Sequence, residues 1–210
     1  MQATDGTRLH AWHYNPAADA PLVIYFGGNA EEVSWMLEQL RERKSANGWL
    51  LVDYRGYGAS GGAPSEEALA ADALAWHDFA AKSHSRIYAF GRSLGSGVAV
   101  RLAAERSLAG VVLVTPYDSM VAVGKHHYPL LPVGLLLKHR FDSLALAPKL
   151  VTPLLCVAAT RDEVVPIEHA RRLYEAWAGP KRWVELPATH NSTDGHPELW
   201  TSLEAFTRGR

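Results

Sequence analysis

What the sequence lacks narrows its class. It holds one cysteine, Cys156, which excludes an intramolecular disulfide and fits a reducing compartment. Because Cys156 lies in the apolar run Leu154-Leu155-Cys156-Val157-Ala158, it reads as a packed core thiol. No apolar run reaches the ~18–20 residues that a membrane span needs. The nearest candidate, 128–137, is broken by Pro129, Pro132 and Gly134. The formal net charge is only −1, with Lys and Arg scattered, so there is no electrostatic case for nucleic acid. The opening residues Met1 to Gly6 lack the basic stretch and apolar core of a secretory signal. Internal repeats and low-complexity segments are missing too. The expectation is a cytoplasmic protein with no integral membrane segment.

What is present is ordinary in bulk and patterned in detail. At 210 residues, 48% hydrophobic and 20% charged, the chain suits one domain with a sizeable core. Short apolar runs at 9–14, 21–26, 49–53, 86–90, 110–114, 153–159 and 182–186 read as strands. Asn15-Pro16 closes the first. Between them, helical spacing marks a helix carrying Val33, Met36, Leu37 and Leu40, then helices over about 65–82, 94–106, 166–177 and 198–206. Ser65 is the N-cap of the second, with Glu66 and Glu67 in its first turn where the macrodipole favours them. This alternation predicts an α/β fold: a mostly parallel sheet flanked by helices on both faces, with functional loops at the strands' carboxyl ends. The irregular stretch 116–149, with a short apolar helix around Leu135 to Leu137, reads as an insertion within a single domain spanning 1–210.

The chemistry is concentrated at Gly91-Arg92-Ser93-Leu94-Gly95. A buried strand precedes it and a helix follows it, which is the context of a G-x-S-x-G nucleophile elbow. Glycines on both sides let strand and helix pass without a Cβ clash. The Leu94 N–H, opening the helix, is placed to bind a developing oxyanion. A serine hydroxyl needs a base, and the base an orienting acid, in the chain order serine, acid, histidine. Of ten histidines, His190 stands in the loop after the last strand. Asp162 follows the strand before that one; Glu163 is an adjacent competitor and Asp118, one strand earlier, the runner-up acid. The second oxyanion donor falls on the Asn29 N–H, in Gly27-Gly28-Asn29 after the 21–26 strand. Metal readings are weak. His126 and His127 are adjacent and their side chains should diverge, and His190, Asp194 and His196 have no recognised ligand spacing. No cofactor is called for.

Several further stretches carry a resemblance. They are Gly27-Gly28-Asn29-Ala30-Glu31, the run from Asp53-Tyr54-Arg55-Gly56 to Gly61-Gly62, and the elbow continued as Ser96-Gly97. Thr115-Pro116-Tyr117-Asp118-Ser119, Arg140-Phe141-Asp142-Ser143, Asp162-Glu163-Val164-Val165-Pro166 and His190-Asn191 complete the set. Over nearly its whole length the chain resembles the α/β-hydrolase superfamily. Within it, the chain is similar to small-cap serine hydrolases that include bacterial esterases assigned by sequence and eukaryotic protein depalmitoylases. The resemblance implies a Ser93–Asp162–His190 triad, oxyanion donors on Asn29 and Leu94, and a small cap formed by 116–149. It departs at Gly27, where many relatives have histidine. Leading strands or a membrane anchor seen in some relatives are expected to be missing or reduced.

The expected activity is hydrolysis of a small-molecule acyl ester through an acyl-enzyme on Ser93. Thioester or amide hydrolysis by the same triad is the alternative within enzymes, since the leaving-group site is not readable. Halide-releasing chemistry is disfavoured because those relatives generally place an aspartate at the elbow. From a different class, the alternative is a non-catalytic binding module on a hydrolase scaffold. Tyr117, Tyr128, Leu130, Leu131 and Leu135 to Leu137 suggest an apolar cap surface suited to acyl or aromatic substrates, or else plain packing of a small subdomain.

Overall fold

The computed structural model describes residues 1–14 and 19–209. Its strands are β1 (Ala11–Tyr14), β2 (Leu22–Phe26), β3 (Gly48–Val52), β4 (Ile87–Arg92), β5 (Gly110–Val114), β6 (Leu154–Ala159) and β7 (Lys181–Leu186). They form one sheet in the order β1-β3-β2-β4-β5-β6-β7, with β1 antiparallel to β3 and every other pair parallel. The helices are α1 (Trp35–Glu42), α2 (Glu66–Ala80), α3 (Leu94–Glu105), α4 (Met120–His127), α5 (Val133–Leu136), α6 (Ile167–Ala176) and α7 (Pro197–Thr207). The expected α/β architecture is present. No helix among the described residues is long and apolar enough to cross a membrane.

Strand alternation distributes the core between the two faces. In β2, Leu22, Ile24 and Phe26 join one core while Val23 and Tyr25 join the other, and β5 divides Val111 and Leu113 from Val112 and Val114 in the same way. Leu69, Ala73 and Trp76 of α2, Val98 and Leu102 of α3 and Leu173 of α6 cover the first face. Met36 and Leu40 of α1 with Leu199 and Leu203 of α7 cover the second, where Trp49 packs at a tilt against Phe90 and Trp200 at ring-centroid distances of 6.0 and 6.3 Å. Strands covered on both faces are the continuous apolar runs seen in the sequence.

Boundaries shift where neighbours override local pattern. The first strand begins at Ala11, not Leu9: the Leu9 N–H is drawn back to the Met1 carbonyl at 2.8 Å. The closing Asn15-Pro16 lies outside the described residues. Val33 is buried but precedes α1, which starts at Trp35. The stretch 116–149 is more regular than expected. It contains α4, capped by the Ser119 hydroxyl accepting from the Ala122 N–H at 3.1 Å, and α5, which starts directly after Pro132 and ends before Leu137. Of the two readings of Tyr117, cap surface or plain packing, the structure has packing. The side chain is buried, and its hydroxyl donates to the Leu94 carbonyl at 3.1 Å.

The tightest crossing of backbone lies where α3 passes under the ends of β2 and β4. A Cβ at Gly95 would collide with the carbonyls of Phe26 and Gly27, and one at Gly91 with the backbone of Gly95 and Ser96. Gly95→Ala should therefore lower stability by about 1–3 kcal/mol or more through overpacking. Urea unfolding measures this, and an unchanged midpoint would show that the crossing has room to spare.

Candidate active site

Ser93 is held between β4 and α3 at φ 50° and ψ −117°, a conformation that L-residues avoid. Its surroundings over-determine it. The Ser93 N–H donates to the Val114 carbonyl at 3.0 Å, and the Ser93 carbonyl accepts from the Ser96 N–H at 2.9 Å and the Ser96 hydroxyl at 2.7 Å. Backbone strain of this kind, typically ~1–3 kcal/mol, persists only where packing and hydrogen bonds enforce it. The result is a serine hydroxyl lifted off the carboxyl edge of the sheet.

Two loops from that same edge complete the arrangement. Imidazole Nε2 of His190 lies 2.8 Å from Ser93 Oγ. On its other side, Nδ1 lies 2.8 Å from Oδ2 and 3.0 Å from Oδ1 of Asp162. The carboxylate is an acceptor, so the Nδ1 proton points to Asp162 and Nε2 is free to accept from the serine hydroxyl. Asp162 is oriented in turn by the N–H groups of Val164 at 2.9 Å and Val165 at 2.8 Å. Its side chain is 2% exposed and that of His190 8%, so bulk water does not compete for the relay. A hydroxyl, an imidazole and a carboxylate in this series can move a proton from Oγ to Nε2 and stabilise the imidazolium that forms. The runner-up acid is occupied elsewhere: Asp118 meets His169 Nδ1 and Arg172 Nε, each at 2.7 Å. Among the described residues no group of three or more His, Cys, Asp or Glu side chains is placed to hold a metal ion. His126 and His127 do not diverge; their rings meet edge to face at 5.3 Å. Cys156 is buried at 0% exposure, and burial pushes its thiol well above the usual range.

Asn29 and Leu94, the residue that follows Ser93, line one cavity of about 490 Å³ together with Met120, Val123 and Leu137. Leu94 is the first residue of α3, so its N–H has no intrahelical carbonyl to donate to. Asn29 is steadied by the 53–62 loop: the Tyr57 hydroxyl donates to Asn29 Oδ1 at 3.0 Å and accepts from the Ala30 N–H at 3.3 Å. The Tyr54 hydroxyl donates to the Gly27 carbonyl at 2.9 Å.

One buried network escaped the sequence reading. Glu31 Oε2 accepts from the Gly28 N–H at 2.5 Å and from Arg92 Nη1 at 2.9 Å. Glu31 Oε1 accepts from the Tyr25 hydroxyl at 2.6 Å and the Trp35 indole at 3.1 Å. Arg92 Nη2 reaches on to Asn191 Oδ1 at 3.1 Å and the His190 carbonyl at 3.4 Å. Burial opposes the Arg92 charge, but the carboxylate beside it prevails and its pKa stands above the usual arginine value. Gly27 follows from the same packing: a Cβ there would approach Val33 Cγ1 to 3.0 Å and the Glu31 carboxyl carbon to 3.2 Å. Both residues stood inside the quoted motifs, but no local pattern reveals a pair 61 residues apart.

Breaking the pair from one side leaves a buried charge without its partner. Arg92→Met should cost about 3–5 kcal/mol in urea unfolding, and adding Glu31→Gln should restore part of the loss. Additive losses in the double variant would count against coupling.

No protein-family model matches the chain. It is 38% identical over 208 residues to an uncharacterised protein of Mycobacterium tuberculosis, covering 95% of this chain and 72% of that protein. It is 28% identical over 229 residues to the alpha/beta hydrolase domain-containing protein WAV2 of Arabidopsis thaliana, covering 96% and 72%. Among solved structures it is similar to an esterase of Pyrococcus furiosus, with a TM-score of 0.77 at 21% identity over 99% of this chain and 87% of that one.

Proposed function

We propose that the chain, which has the fold of α/β-hydrolases, is a member of that superfamily and a serine hydrolase cleaving carboxylic esters through an acyl-enzyme on Ser93. The observation that carries the reading is the continuous relay from Ser93 Oγ through His190 to Asp162, with the hydroxyl on a strained elbow. In this reading His190 Nε2 takes the proton as Ser93 Oγ attacks the ester carbonyl. The N–H groups of Asn29 and Leu94 receive the oxyanion, each such donor being worth ~10²–10³ in turnover. His190 then returns the proton to the departing alkoxide, and water repeats the sequence to free the acid and regenerate the serine. No cofactor or metal enters. A cytoplasmic setting accords with one free, buried cysteine.

The segment 116–149 acts in this reading as a small cap within a single domain. Its Met120, Val123 and Leu137 supply apolar lining to the cavity that Asn29 and Leu94 also line, which suits an acyl chain. Ester, thioester and amide share the acyl half of the reaction, so this lining bears on the acyl group and not on the leaving group.

The first test is intact-protein mass spectrometry after exposure to a fluorophosphonate. Wild type should gain one phosphonyl adduct and Ser93→Ala none, and ester hydrolysis by the variant should fall by about 10⁴-fold or more. Adduct formation on Ser93→Ala would overturn the nucleophile assignment. A second test concerns the acyl wall. Met120→Trp should lower kcat/KM for octanoyl esters by roughly tenfold relative to acetyl esters, in the range that pocket methylenes command. Equal losses on both esters would detach the cavity from the acyl group.

A further inference from the structure

Above the cavity the chain turns its apolar side chains outward. Leu130 is 96% exposed and Leu135 87%, and Leu136, Tyr128 and Leu131 lie between 68% and 52%. Single exposed leucines are common on protein surfaces, but five large apolar side chains within nine residues make a patch. The patch is preformed. Pro129 and Pro132 restrict the backbone on either side of Leu130-Leu131, the Leu131 N–H donates to the Tyr128 carbonyl at 3.1 Å, and the Leu135 N–H donates to the Pro132 carbonyl at 2.8 Å. Ordering it against a partner therefore costs little conformational entropy.

Charge says what the partner is. Residues 120–141 contain Lys125, Lys138 and Arg140 with three histidines and no carboxylate, in a chain whose formal net charge is −1. Arg140 Nη2 donates to the Gly134 carbonyl at 2.6 Å, which holds a guanidinium beside α5. The nearby Glu66 is engaged, accepting from the Arg140 and Phe141 N–H groups at 2.6 and 2.9 Å. Exposed Glu67 lies near Lys138 and His139, and exposed Glu163 directly precedes Val164, so three cations face these two carboxylates around the apolar residues. A second copy of the chain is a poor occupant, because it would bring two sets of these cations together.

We infer that 128–136 is a docking crest for an anionic phospholipid surface. The leucines and Tyr128 enter the boundary between headgroups and acyl chains, while Lys125, Lys138 and Arg140 meet the phosphates. Tyr128, His127 and Val164 also line the 490 Å³ cavity, so docking turns its rim toward the lipid. The docking surface itself does not depend on the chemistry of Ser93.

The test is co-sedimentation of the full chain carrying Ser93→Ala, which keeps hydrolysis out of the measurement. One set of vesicles contains equal parts phosphatidylcholine and phosphatidylserine, the other phosphatidylcholine alone. Binding should be roughly tenfold stronger to the mixed vesicles and should weaken with added salt. Leu130→Glu with Leu135→Glu should lower it by about tenfold or more at an unchanged unfolding midpoint, and Lys125→Glu with Lys138→Glu should remove the preference for phosphatidylserine. No sedimentation with mixed vesicles, or equal sedimentation of the leucine double variant, overturns the inference. So does lipid-free dimerisation abolished by the same double variant, which assigns the crest to a second copy.

Discussion

The site depends on a steric constraint before it depends on any charge. Ser93 can project from the sheet only because α3 begins immediately after it, and α3 can begin there only because hydrogen atoms stand at Gly91 and Gly95. With any larger group the helix would be pushed from β2, whose last carbonyls it almost touches. The sheet order makes this crossing central. Since β4 lies between β2 and β5, the Ser93 N–H can be tied to Val114 while the loop after Phe26 passes on the other side. The backbone strain at the serine is thus borne by hydrogen bonds and packing drawn from three strands.

Upon that frame a single carboxylate and a single guanidinium coordinate the loops. Glu31 fixes the Gly28 N–H, and hence the loop that presents Asn29, while Arg92 is bound at once to Glu31 and to the His190–Asn191 turn. An ion pair buried to this degree gains little net stability against its desolvation. What it contributes is register: each loop approaches Ser93 from a different strand, and the pair makes their positions interdependent. Gly27 fits the same account, since the Glu31 carboxyl and Val33 take the space that a side chain there would need.

The segment between β5 and β6 has two unlike faces. Inward, Met120, Val123 and Leu137 wall the cavity beside Asn29 and Leu94; outward, Leu130 and Leu135 are left in water. Packing alone accounts for the first face and not for the second. Its basic flanks and proline-stiffened backbone connect the outward face to an anionic surface, and the shared rim residues connect that surface to the cavity.

The architecture was legible in the sequence because both core faces are written as periodic runs: alternation such as Val23 and Tyr25 against Ile24 and Phe26, and helical spacing in α2, α3 and α6. The elbow, too, was legible, since its requirement for glycine is local. His190 and Asp162 could be chosen by their stations after β7 and β6, which order along the chain supplies. Other features were not legible. Whether Asp118 or Asp162 meets the histidine is decided by His169 and Arg172, which occupy Asp118 from a helix over fifty residues away. The sequence left Tyr117 open between cap surface and plain packing because an aromatic beside irregular chain carries no sign of direction, and only packing turned its hydroxyl onto Leu94. Sequence by itself therefore determined the layers, the strand ends and the residue types gathered there, all of which follow from spacing along one segment. Tertiary structure alone decided which of those residues meet, because a buried polar group takes whichever partner the fold brings within hydrogen-bond reach, and that distance is not a property of any local stretch.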